Sequence, residues 1–176
     1  MSHAQVRTRR TRIDPVPLPV REPSEALAAW GLGDHPGAPG LARDCAGGAD
    51  AVFRVEETVH GRTVALVSVH GVEGIAGSRA IEMVSDTDAL VRGLGIEANL
   101  LMINHIFAEW DADRIYFWPE EDHLATIEAY PAMLLEVAEP PGDLAARAAG
   151  RRTFVISRED WQKIASVFLR VLSGRD

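Results

Sequence analysis

Two carboxylates stand out in the sequence because of the residues around them. Glu128 lies in Leu124-Ala125-Thr126-Ile127-Glu128-Ala129, an apolar stretch that offers it almost no polar company. A carboxylate in such a place costs desolvation energy unless a cation or hydrogen bonds compensate it. Asp160 follows Ser157 by three positions and precedes Trp161, Ile164, Ala165 and Phe168, which recur at helical spacing. Each has a structural use: Glu128 as the partner of an arginine such as Arg114, and Asp160 as the third residue of a helix-capping box.

Other residue types invite chemistry as well. Glu57…His60 and Glu120…His123 share a spacing that, on helices, puts two metal ligands on one face. Here the first pair falls at a turn and the second between two expected strands, so the helical geometry is lost. Cys45, in Arg43-Asp44-Cys45-Ala46-Gly47-Gly48, is a candidate nucleophile for a hydrolase if His60 or His123 activates it. Gly71, Gly74 and Gly77 form a loop without the Lys-Ser/Thr sequel of a phosphate-binding P-loop, and a flexible turn is the expectation.

The elements that must position these residues follow from pattern. Val52–Val59 and Arg62–Val69 are rich in β-formers, and His60-Gly61 between them predicts a hairpin. The second arm is apolar on both faces, as expected of a central strand. A strand is expected at Ile81–Val84, then a helix capped by Ser85 and running to about Trp110. Arg114–Trp118 and Leu124–Ala129 read as strands closed by Pro119 and Pro131, followed by a helix from Pro131 to Val137. A short helix over 143–149, a strand at Thr153–Ile156 and a helix capped by Ser157 complete the order.

Upstream, Asp14-Pro15-Val16-Pro17-Leu18-Pro19 suits an extended chain, and residues 34–48 are glycine-rich. The expected organisation is therefore an irregular N-terminal arm over residues 1–50, with one short helix after Ser24, and a mixed α/β (α+β) domain over residues 51–176.

Composition narrows the classes. The chain has 176 residues, is 47% hydrophobic and carries a formal net charge of −8, which excludes global disorder and suits one ordinary domain. Arg7, Arg9, Arg10 and Arg12 make the first 13 residues basic, leaving the remainder with 14 basic against 26 acidic residues. Such an acidic body disfavours nucleic acid as a general partner. One cysteine excludes an intramolecular disulfide. No apolar run approaches a membrane span, and a cytoplasmic protein is the expectation.

Phe117-Trp118-Pro119, Glu128-Ala129-Tyr130-Pro131-Ala132, and Asp160 ahead of Ile164–Leu169 resemble a family of predicted RNase H-like nucleases. Phe53-Arg54-Val55-Glu56 and the glycine loop at 71–77 are similar too. The resemblance covers residues 52–172 and implies an RNase H-like sheet with flanking helices. It implies that Glu128 and Asp160 hold Mg²⁺ or Mn²⁺, which would polarise a phosphate and activate water. The family's first-strand aspartate has no counterpart, since Asp14 lies among prolines and Asp34, Asp44 and Asp50 in expected coil. The implied function is thus a shortened, degenerate nuclease-like domain acting as a binding or accessory protein, with at most weak metal-dependent phosphodiesterase activity. Two readings stand beside it: an interaction module without a catalytic site, whose arm over 1–50 docks a protein partner, and a hydrolase using Cys45.

Overall fold

The computed structural model describes residues 6–8, 10–85, 94–119, 124 and 134–173. Its centre is an eight-stranded sheet in the order β1-β2-β3-β4-β5-β6-β8-β7. The strands are β1 (Val6–Arg7), β2 (Thr11–Val16), β3 (Ala51–Glu57), β4 (Thr63–Gly71), β5 (Ser78–Ser85), β6 (Arg114–Phe117), β7 (Leu135–Val137) and β8 (Thr153–Ser157). Every neighbouring pair is antiparallel except β5 and β6, which run parallel across the connection that contains α3 (Leu94–Glu109). The other helices are α1 (Pro23–Ala29), α2 (Ala38–Arg43), α4 (Leu144–Ala148) and α5 (Arg158–Ser173).

The expected hairpin is present, with Gly61 at φ +65° in its turn. Strand β4 is buried from Thr63 to His70, as its two apolar faces require. One face carries Phe53, Val55, Val67, Val69 and Ile81 against α3 and Trp161 of α5. The opposite face carries Val52, Leu66 and Val84 against Leu27 and Leu41 of α1 and α2. Farther along that face, Ala80 and Tyr116 pack on Leu144 and Ala148 of α4.

The N-terminal segment differs from the expected arm. Thr11–Val16 pairs along its whole length with β3, and Ile13 is fully buried opposite Val55. Pro15 is compatible with this strand because β1 covers only Arg12 and Ile13, so no ladder bond is lost on the outer side at Pro15. Leu27, Leu32 and Leu41 then fill the chain's own interior instead of standing free for a partner.

Two further elements depart from pattern. Ser85, expected as a helix cap, is the last residue of β5; the described part of α3 is Leu94–Glu109, and residues 86–93 lie outside the described residues. Leu135–Val137, expected at the end of a helix, is the edge strand β7, held by Thr153–Val155. Most of the expected strand at 124–129, and the start of the expected helix at 131–133, lie outside the described residues.

The C-terminal end of α3 is fastened by α5. The Arg158 guanidinium donates to the carbonyl of Phe107 (2.7 Å) in the last turn of α3, where a helix leaves carbonyls without internal partners, and to those of Trp110 (3.1 Å) and Ala112 (2.8 Å) just beyond it. The adjoining turn is fixed by Gly77, at φ +71°, whose missing side chain makes room for Asp113. A Cβ there would lie 2.7 Å from Asp113 Oδ2, while Asp113 N donates to the Gly77 carbonyl at 2.6 Å.

Two substitutions test this account. Ile13→Ala should cost about 2–5 kcal/mol in urea unfolding; a neutral effect would return residues 11–16 to the status of a loose arm. Gly77→Ala should cost about 1–3 kcal/mol through its positive φ and the clash. Adding Asp113→Ala should recover only the steric part of that loss, measured as a double-mutant cycle.

Candidate functional site

The parallel pairing of β5 with β6 is half as long as β5. It runs from Ser78↔Arg114 to Ile81↔Phe117 and stops, because Pro119 has no N–H with which to continue a ladder. Among the described residues, Glu82–Ser85 therefore has no strand partner on that edge. Among the described residues this leaves a notch beyond Ile81 and Phe117. The Ser85 hydroxyl, at the far end of the open edge, is buried and has no hydrogen-bond partner among the described residues.

At the apex of the notch a row of polar side chains crosses four strands on the face of α1, α2 and α4. Ser68 of β4 is opposite Glu82 of β5. Glu82 and Trp118 follow the last paired residues of β5 and β6, Thr153 precedes Phe154, the last β8 partner of β6, and Arg151 reaches both Glu82 and Trp118. This row separates the apolar cluster around Leu66 and Val84 from that around Ala80 and Tyr116.

The members of the row differ in how well they are satisfied. Ser68 Oγ and Asp44 Oδ2 each lie 3.2 Å from His70 Nε2, in a buried cluster that ties the end of α2 to β4. Glu82 is partly exposed, and its Oε1 accepts from Arg151 Nη2 at 3.0 Å. Arg151 also donates from Nε to the Ala148 carbonyl at 3.1 Å and lies over the Trp118 ring, 5.9 Å from its centre. Trp118 Nε1 and Thr153 Oγ1 are buried with no partner among the described residues.

The residues singled out from sequence fall elsewhere. Asp160 completes the capping box of α5: its amide donates to Ser157 Oγ at 3.0 Å, and its carboxylate accepts from Ser157 Oγ at 2.6 Å and from Lys163 at 3.0 Å. The Ser157 hydrogen bond, then that from Lys163, holds its carboxyl below the usual range. Glu128, Glu120 and His123 lie outside the described residues. Glu57 and His60 bond each other at 2.9 Å on the hairpin turn. Among the described residues no group of three or more His, Cys, Asp or Glu is placed to hold a metal ion. No described helix is long and apolar enough to cross a membrane.

Cys45 is fully buried beside Asp44. Burial, and then the Asp44 charge, push its thiol from the ordinary 9.0 up to about 11. Nucleophilic catalysis needs the opposite shift.

No protein-family model and no curated protein matches the chain. Solved structures do. A GCN5-related N-acetyltransferase from Brucella melitensis superposes with a TM-score of 0.68 at 13% identity, over 98% of this chain and 86% of that one. Apo FdhC, described as a nucleotide-linked sugar GNAT, gives 0.67 at 10% identity over 97% and 99%. AAC(6')-Ib in complex with ribostamycin and coenzyme A gives 0.57 at 14% identity over 88% and 97%. At these identities the likeness is one of fold: a mixed α+β, mostly antiparallel sheet with flanking helices.

That finding overturns the resemblance to RNase H-like nucleases, and with it the degenerate-nuclease function. The reason is local. Phe117-Trp118-Pro119 is a strand end and Asp160 a helix cap, features that unrelated folds share. Pattern reasoning missed Glu82, an unremarked acid inside an expected strand.

The state of Cys45 is open to a direct check. Its neutral native form supports the fold below pH 9, and that support should fade as pH rises from about 9.0 toward 11. At pH 8 a thiol reagent should label the folded chain far more slowly than the urea-unfolded chain. Complete labelling of the native protein within minutes would restore Cys45 as a reactive group.

Proposed function

We propose that this protein is an acyltransferase that moves an acyl group from a coenzyme A thioester to an amine. The observation that carries the reading is the open half of β5, with Glu82 at its inner end. Among the described residues the edge of 82–85 that faces away from β4 has no strand partner, and such an edge suits an extended, amide-bearing chain such as the pantetheine arm of coenzyme A, which would add to it as a strand does. The buried, unpartnered hydroxyl of Ser85 fits an amide of the same arm. The N-terminus of the 16-residue α3 follows β5 and offers helix N–H groups and a positive dipole end to a diphosphate. The likeness in fold to N-acetyltransferases agrees with this assignment.

The bound thioester would supply the activated acyl group; transfer would form an amide C–N bond and break the C–S bond, and the second proton of the attacking nitrogen would pass to the departing sulfur, which leaves as the free thiol. Glu82 would hold the incoming ammonium and take its proton, which makes the nitrogen lone pair available. Backbone N–H groups at the inner end of the open edge would face the carbonyl oxygen as charge develops on it. Ser68, fixed by His70 and Asp44, would keep the floor beneath Glu82 rigid.

Acetyl-CoA should bind the full chain in calorimetry, and a panel of primary amines should drive release of free thiol. Glu82→Gln should keep acetyl-CoA binding while lowering kcat/KM by roughly 10²–10⁴, the usual worth of a general base. Absence of acetyl-CoA binding at millimolar concentration would end this reading.

A further inference from the structure

Within the acyltransferase reading, on which this step rests, the row at the notch specifies the kind of amine. We infer that the acceptor is a small zwitterion, an amine bearing its own carboxylate, as in a free amino acid. Glu82 and Arg151 form an ion pair, Oε1 to Nη2 at 3.0 Å, in which both side chains keep access to solvent. Opposite charges held side by side and reachable match a molecule carrying the same two charges in reverse. The ammonium would lie on Glu82, where the reading needs the nucleophile, and the carboxylate on the Arg151 guanidinium. A guanidinium presents several donors in a fixed plane, which suits two carboxylate oxygens.

A second observation points to the same ligand. Trp118 Nε1 and Thr153 Oγ1 are both buried, with relative exposures of 4% and 2% for their residues, and neither has a partner among the described residues. An indole N–H only donates, so its unmet need is for an acceptor such as an oxygen. Leaving it unmet in the interior is costly, and the carboxylate of a bound zwitterion would relieve that cost. Arg151 is already set for the role, with Nε on the Ala148 carbonyl and its plane over the Trp118 ring. One donor side of the pocket thus combines a cation, an indole N–H and a hydroxyl, and the opposite side is a carboxylate. A plain alkylamine would satisfy only Glu82.

The test uses the full chain with acetyl-CoA and the common amino acids, then compares the best amino acid with its carboxamide and its decarboxylated amine. The amino acid should exceed both in kcat/KM by about tenfold or more, since a site built for a polar group rejects analogues that lack it. Arg151→Gln should erase that ratio whatever the loss in absolute rate, and Arg151→Lys, which keeps the charge, should retain part of it. Independently of turnover, the Trp118 indole N–H resonance, assigned through Trp118→Phe, should shift on titration with the amino acid in wild type and not in Arg151→Gln. Acyl transfer to the decarboxylated amine at an equal or higher rate would overturn the inference and leave the acyltransferase reading standing. A Trp118 shift without acetyl-CoA binding would do the reverse. No shift with any amino acid would overturn the inference by itself.

Discussion

The length of β6 governs the whole candidate site. At one end, Asp113 packs onto the side-chain-free Gly77 and fixes where the parallel pairing starts. At the other, Pro119 follows closely and ends the ladder. Between these limits four residues of β6 pair with β5, so among the described residues the remaining half of β5 has an open edge. Arg158 holds the same corner from the other side: its guanidinium caps α3 and its amide donates to the Asp113 carbonyl at 2.8 Å. A change at any of these positions would move the notch, although none of them lines it.

The two faces of the sheet are used differently. The face under α3 and α5 carries the largest core cluster. The other face is interrupted by the row from Ser68 to Thr153. An interior polar row is tolerated where its members satisfy one another, and costly where they do not. Ser68, His70 and Asp44 satisfy one another, and they stabilise the junction of α2 with β4. Glu82, Trp118 and Thr153 form the incomplete part, and the unpartnered atoms fall where the strands diverge. Departures from full polar satisfaction concentrate at functional sites for this reason.

Local rules made much of the fold legible. The hairpin of β3 and β4, the strands β6 and β8, and the capping box of α5 each follow from residues close together in sequence. The strand at Thr11–Val16 was hidden by Pro15, whose missing N–H reads as a break unless the strand is known to lie open on one side there. Ser85 pairs with Ala65 and so closes β5, one residue beyond the strand expected at Ile81–Val84. The candidate site was illegible for a different reason. Ser68, Glu82, Trp118, Arg151 and Thr153 are distant in the chain and meet only once the register of four strands is fixed, which no single-segment pattern contains. The resemblance to nucleases rested on strand ends and helix starts, which report local geometry and not the edge of the sheet to which a strand returns.

The N-terminal hairpin also bears on the electrostatics of the proposed donor site. Glu97 lies in the first turn of α3, where its charge would compete with any anion at the positive end of the helix. It is buried, and its carboxylate is drawn toward the hairpin: Thr8 Oγ1 donates to it, Thr11 Oγ1 donates at 2.9 Å, and Arg10 lies 3.8 Å away. The basic start of the chain thereby counters an acid at the helix end that the reading assigns to a diphosphate. A body of net negative charge cannot attract such a ligand through its overall field. Attraction must come from fixed local dipoles, and those work only if nearby acids are neutralised first. Thr8, Arg10 and Thr11 do this for Glu97, which ties the segment expected as an irregular arm to the first turn of α3 and, under the proposed function, to its donor site.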